Sequence, residues 1–136
     1  MRVLLIVLVL GCSTPTIDQA LVAGTYAVRW DGYSLGCDAE PPWYAKAVIP
    51  DNNAMVKLYD PCGAYSVDWY MTAGGVHIEG QQHDCEEWHW HVRDIDLTLD
   101  ETGLYTVLYG EVYVSAQEYV YDRGSCVMAV TLQRVP

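Results

Sequence analysis

Trp88-His89-Trp90-His91-Val92-Arg93-Asp94-Ile95-Asp96-Leu97-Thr98-Leu99-Asp100 alternates apolar and polar side chains, with one slip of phase in the middle. Period-two alternation is the mark of a half-buried β-strand. Trp88, Trp90 and Val92 share one face, whereas Ile95, Leu97 and Leu99 have the opposite parity. A flat strand cannot bury both sets, because a shift of one residue turns every side chain to the other face. One extra residue near Arg93 and Asp94, a β-bulge, removes the conflict. All six apolar residues then point inward, and His89, His91, Asp96, Thr98 and Asp100 point out.

The same period runs outward from this stretch. Tyr26, Val28 and Trp30 alternate with Thr25, Ala27 and Arg29. Residues 45–49 and 54–60 flank Pro50-Asp51-Asn52-Asn53, a turn sequence suited to a hairpin. Tyr65, Val67, Trp69 and Met71 line one face of the next predicted strand, and Ala73-Gly74-Gly75 turns it into residues 76–79. Strands follow at 104–115 and 127–135, with Asp122-Arg123-Gly124-Ser125 read as the connection before the last. Only residues 17–22 hint at a helical period. The expectation is an all-β domain: a single antiparallel β-barrel or β-sandwich of about eight strands.

Composition narrows the class. The chain has 136 residues, which fits one domain. Half of it is hydrophobic (51%), enough apolar surface to offset the entropy of ordering. It has 11 Tyr and 5 Trp but no Phe. Eighteen acidic against 7 basic residues give a net charge of −11, which argues against a nucleic-acid partner, since phosphate rewards Lys and Arg.

Residues 1–12 carry an export signature. Met1-Arg2 precedes eight consecutive branched apolar residues, 3–10, ending in Val9-Leu10-Gly11-Cys12. This arrangement resembles the lipobox signal peptide of bacterial lipoproteins. The resemblance implies cleavage before Cys12, lipidation of its sulfur (palmitate among the acyl chains) and anchoring in a membrane. Ser13, rather than Asp, after the lipidated Cys implies the outer membrane. The expected organisation is 1–11 signal peptide, 12–23 lipidated tether and 24–136 all-β domain. Loss of Arg2 takes the mature charge from −11 to −12. The tether can reach at most about 36 Å, so the domain stays near its membrane. Gly24-Thr25-Tyr26 resembles the Gly-x-Trp start of lipocalin-like barrels, with Tyr for Trp, and on that resemblance a barrel is preferred to a sandwich.

With Cys12 assigned to the anchor, Cys37, Cys62, Cys85 and Cys126 remain, an even set in an exported chain, so two disulfides are expected. Four cysteines allow three pairings; Cys37 with Cys62 and Cys85 with Cys126 is the expected one. No C-x-x-C is present to favour a zinc thiolate site.

Two functional constellations stand out. His89 and His91, two apart on a strand, share a face, and His83, Asp84, Glu86 and Glu87 lie just upstream. His83, His89 and His91 are therefore candidate ligands for a divalent transition metal, although no spacing matches a defined motif and a polar outer face is the plainer reading. With His77, all four histidines lie within fifteen residues. Tyr105, Tyr109 and Tyr113 share a face with Val107, opposite Leu104, Leu108, Val112 and Val114, and Tyr119 and Tyr121 extend the series. Core packing is the expected role of these rings, and a ligand-binding row is the alternative.

Other matches fail on context. Asp94-Ile95-Asp96-Leu97-Thr98 has the D-x-D-x-T letters of haloacid dehalogenase-type phosphatases, but that motif needs a parallel strand in an α/β fold. Asp94, Asp96 and Asp100 have EF-hand-like offsets, with Leu99 where the loop needs glycine. No G-x-S-x-G is present. The expectation is a membrane-anchored binding or envelope-interaction module without catalysis or cofactor. Its partners would be the membrane and a small apolar, sugar or peptide ligand. The alternative is a periplasmic transition-metal-binding protein acting through His83, His89 and His91.

Overall fold

In the computed structural model, which describes residues 17–33 and 38–136, seven of the ten strand pairs among the described residues join sequence neighbours. A short helix α1 (Gln19–Val22) precedes β1 (Gly24–Tyr33), β2 (Lys46–Ile49), β3 (Val56–Asp60), β4 (Gly63–Val67), β5 (Trp69–Met71), β6 (Gly75–Ile78), β7 (Gln81–Cys85), β8 (Trp88–Val92), β9 (Ile95–Asp100), β10 (Val107–Glu118) and β11 (Tyr121–Arg134). All pairs are antiparallel, and the first strand pairs with the last. The order β4-β3-β2-β1-β11-β10-β9-β6-β5 curls into a nearly closed barrel. This is an all-β barrel, one of the two architectures the alternation allows, built from eleven strands where about eight were expected.

The bulge lies where the phase slips. Val92 pairs with Val114 and Thr98 with Tyr109, so six residue steps on one side face five on the other. Arg93 and Asp94 separate β8 from β9, and the Arg93 N–H still donates to the Tyr113 carbonyl at 3.0 Å. Trp88, Trp90, Val92, Ile95 and Leu97 are all buried, Leu99 is half-buried, and His89, Asp96 and Thr98 face out. The bulge also divides the sheet. One half of β10 continues through β8 to β7, the other through β9 to β6 and β5. The glycines beside the junction permit close approach: a Cβ on Gly110 would lie 2.3 Å from the Asp96 carbonyl, and one on Gly75 would lie 1.9 Å from the Leu97 carbonyl.

Three expectations are corrected. The single strand expected from Tyr65 to Met71 is broken at Asp68 into β4 and β5, which form the two ends of the sheet path. Residues 81–85, to which no strand was assigned from the sequence, form β7 and pair with β8. The last connection is Tyr119-Val120 rather than 122–125, with Tyr119 at φ 55°.

Side chains fill the barrel interior: Tyr26, Ile49, Val56, Trp90, Leu108, Met128 and Val130 are among the buried residues. Residues 38–45 close one end, with Trp43 edge-on to Trp90 at 5.2 Å and the Trp90 indole N–H donating to the Glu40 carbonyl at 2.9 Å. The segment expected to be tether is partly built into the fold. Val22 is fully buried, its carbonyl accepts from the Tyr26 hydroxyl at 2.7 Å, and Arg134 bonds the Leu21 carbonyl. Residues 1–16 and 34–37, which include the export signature, Cys12 and Cys37, lie outside the described residues.

The seam between β4 and β7 carries no backbone ladder among the described residues. It is held by the Tyr65 hydroxyl, which donates to the Asp84 carbonyl at 3.0 Å, and by a disulfide between Cys62 and Cys85. This corrects the expected pairing of Cys37 with Cys62 and of Cys85 with Cys126. Barrel closure brings the β3–β4 turn beside the end of β7, a non-local contact that spacing along the chain does not reveal. Cys126, fully buried on β11, is disulfide-bonded as well.

Candidate functional site

The β7–β8 register decides the fate of the predicted histidine cluster. Gln82 pairs with His91, His83 with Trp90 and Asp84 with His89. Directly opposed residues share a face, and successive residues alternate. Gln82, Asp84, His89 and His91 therefore stand outside, while His83, Cys85, Trp88 and Trp90 stand inside. His83 is 3% exposed and cannot join His89 and His91 around one ion. The predicted set of His83, His89 and His91 is corrected accordingly. Outside, His89 Nδ1 sits 2.7 Å from Asp84 Oδ1, at a shallow groove of about 450 Å³ shared with Gln82, His91 and Gln117.

Inside, His83 belongs to a sealed polar chain. Its Nδ1 lies 2.8 Å from the Tyr44 hydroxyl, and its ring stacks between Tyr44 at 4.4 Å and Trp90 at 4.7 Å. Burial pushes the Tyr44 phenol well above its ordinary value, so Tyr44 keeps its proton and donates it to Nδ1. Nε2 lies 3.4 Å from Asp60 Oδ2, with no hydrogen bond between them. The other Asp60 oxygen accepts from the Cys62 and Gly63 N–H groups at 2.7 and 3.0 Å. Desolvation outweighs the pull of Asp60 and Asp84 and lowers His83 to about 4, so the ring is neutral at physiological pH. The side chains of His83 and Asp60 are both fully shielded from solvent. A substrate cannot reach these atoms, and their arrangement suits holding the end of the barrel together rather than catalysis.

His77 forms a third cluster. It lies on the outer face of β6, opposite Tyr70 of β5 and Asp96 of β9. The Tyr70 ring stacks on it at 4.4 Å. Nδ1 lies 2.6 Å from Asp96 Oδ1, while Nε2 is 3.5 Å from Asp94 Oδ2 and 3.8 Å from Glu79 Oε1. The hydrogen bond to Asp96, aided by the charges of Asp96, Asp94 and Glu79, raises the His77 pKa against the opposing effect of burial. The signal was present in the sequence as His77-Ile78-Glu79 with Asp94 and Asp96. It becomes legible only once β6 is placed beside the bulge.

The tyrosine row is exposed, against the expectation of packing. Tyr109 and Tyr113 are 47% and 48% exposed on the outer face of β10, while Leu108, Val112 and Val114 take the interior. Thr98 and Thr131 oppose Tyr109 on its two neighbouring strands, Val127 opposes Tyr113, and Glu111 lies between the two rings. Tyr119, Val120 and Tyr121 stand exposed at the hairpin tip. No protein-family model, curated protein or solved structure matches the chain.

Proposed function

We propose that this protein is a lipid-anchored, non-enzymatic binding module of the cell envelope, which docks an extended carbohydrate on the outer face of β10 and β11. The observation that carries the reading is the pair Tyr109 and Tyr113, half-exposed in the middle of a long strand paired with β11 along its length. A soluble β-domain gains nothing from leaving such rings in water, and an exposed apolar patch on a rigid strand is a mark of binding. Their Cα atoms are about 13 Å apart at the usual strand rise, so the two rings present separate stacking platforms along one line. Rigid phenols bind at low entropic cost, and Glu111, Thr98 and Thr131 between and beside them offer partners for hydroxyl groups.

Three further points support the reading. Side chains fill the barrel, so an internal ligand of the kind a lipocalin-like fold implies would have to displace packed residues. The most strongly shifted histidine, His83, is sealed from substrate, which leaves it no catalytic use. The charge of −11 disfavours nucleic acid and other polyanions and is compatible with a neutral glycan.

The test is a neutral-glycan array together with sedimentation on insoluble polysaccharide, comparing the wild type with the Tyr109→Ala/Tyr113→Ala variant. Glycan binding that the double variant loses is expected. Equal binding by both proteins, or none by either, overturns the reading. Anchoring is tested separately: labelled palmitate should enter the wild-type chain in cells and fail to enter Cys12→Ser.

A further inference from the structure

We propose that His77, Glu79 and Asp94 form a binding site for a divalent first-row transition ion of the zinc type, with Asp96 as the carboxylate that orients the imidazole. This inference is independent of the carbohydrate reading and uses a different set of side chains. The three donors are His77 Nε2, a Glu79 oxygen and an Asp94 oxygen, all within 4.8 Å of one another.

The geometry separates this arrangement from an ordinary ion pair. His77 Nδ1–H donates a hydrogen bond to Asp96 Oδ1 at 2.6 Å. Nε2 is thereby aimed at two carboxylates, and an unprotonated nitrogen there would set a lone pair against negative oxygens. A cation on Nε2, either a proton or a metal ion, relieves that opposition. A charge-assisted N–H···O bond closes to about 2.7–2.9 Å. Neither carboxylate approaches that closely, at 3.5 and 3.8 Å. Donors on neighbouring corners of a tetrahedron with bonds of about 2.0–2.2 Å are roughly 3.4 Å apart, close to the 3.5 and 3.8 Å from Nε2 to the two carboxylates, which themselves lie within 4.8 Å of each other. The gap is too wide for a proton to bridge well and suits a zinc-sized ion.

The surroundings hold the donors in place. His77 is 8% exposed, its ring is pinned by Tyr70, and among the described residues its Nε2 makes no hydrogen bond. The Gly80 N–H holds Asp94 Oδ1 at 2.6 Å, which leaves Oδ2 free to face His77. Asp94 is a bulge residue between β8 and β9, and bulges re-aim side chains in this way. Asp96 behind the imidazole supplies the carboxylate–histidine support common in metal sites. Glu79 and Asp94 are on the exposed side, so an ion can enter and keep a water as its fourth ligand.

The experiment titrates the purified full domain with Co²⁺ and Zn²⁺, following visible Co²⁺ absorption and calorimetric heat. One equivalent is expected to bind, giving the intense absorption of a tetrahedral site, and Zn²⁺ should displace Co²⁺. Glu79→Gln and Asp94→Asn, both conservative changes at exposed carboxylates, should abolish saturable binding while leaving the Tm of the metal-free protein within a few degrees. Asp96→Asn should weaken it about tenfold or more. His89→Gln, in the other histidine group, should leave it unchanged. The proposal is overturned if the wild type binds no ion saturably, if Asp94→Asn binds as the wild type does, or if His89→Gln removes the binding. A glycan result of either sign leaves these outcomes untouched.

Discussion

Acidification tests the interior most directly, because His83 must stay neutral for the barrel end to remain packed. Its pKa falls from an ordinary 6.5 to about 4 in the folded state, with desolvation as the cause. The unfolded chain therefore binds a proton at His83 over a range where the folded chain refuses one. The stability this provides is fully present above pH 6.5 and is lost as the pH falls from there toward 4. Two and a half pKa units correspond to about 3 kcal/mol at the bottom of that window, of which about 2 kcal/mol is already lost at pH 5. Domains of this size hold roughly 5–15 kcal/mol in total, so the loss is large.

The window is free of two other shifted groups. His77 is raised, so its contribution is complete below 6.5 and is lost only as the pH rises above it. Asp100, held below its ordinary 3.8 by Thr102, titrates lower still. The assay is urea unfolding with linear extrapolation at pH 7, 6 and 5, for the wild type and His83→Gln. The substitution should lower stability at pH 7, because the Tyr44 hydroxyl loses its acceptor, and should flatten the pH dependence between 7 and 5. Parallel losses in both proteins would refute the reasoning.

Other measurements probe the rest of the barrel. Cys62→Ser/Cys85→Ser should lose about 3 kcal/mol in urea unfolding, the chain-entropy value for the 23-residue separation, with the seam between β4 and β7 becoming the first site of hydrogen exchange. Gly75→Ala and Gly110→Ala each force a methyl onto the backbone of β9 and should cost about 1–3 kcal/mol or more, whereas Gly103→Ala, with nothing within 4 Å, should be near neutral by thermal denaturation. Tyr109→Ala/Tyr113→Ala should change stability by no more than about 1 kcal/mol while removing glycan binding, because both rings stand half in water.

Legibility in the sequence followed the contrast between inward and outward side chains. The bulge at Arg93-Asp94 was readable because two apolar runs of opposite parity flank it. Strand β7 was not, because Gln81-Gln82-His83-Asp84-Cys85 places a polar histidine at the inward position, which erases the alternation. The Asp122-Arg123-Gly124-Ser125 stretch misled in the opposite sense. It has turn residues, yet they absorb an extra residue within β11, where Ser115 pairs with Ser125 and Gln117 with Asp122, two steps facing three. The actual turn uses Tyr119 and Val120, which look like strand residues. The tyrosines of β10 were ambiguous because both faces of that strand are apolar, and only its place in the sheet settles which face is buried. The disulfide partner of Cys62 and the neighbours of His77 depend on barrel closure, which no local pattern encodes.

The extra residue between β8 and β9 links the core to the outer surface. Without it, either the pair Trp88 and Trp90 or the pair Ile95 and Leu97 would face water, at roughly 1.5–3 kcal/mol for each large side chain turned out. That loss alone fixes the bulge energetically, whatever stands on the outer face. Once fixed, it turns Asp94 toward His77 and sets it against the Gly80 N–H. The hydrophobic core therefore bears the cost of gathering like-charged carboxylates around one imidazole. A cation bound there would return part of that cost as stability, with no change in the core itself.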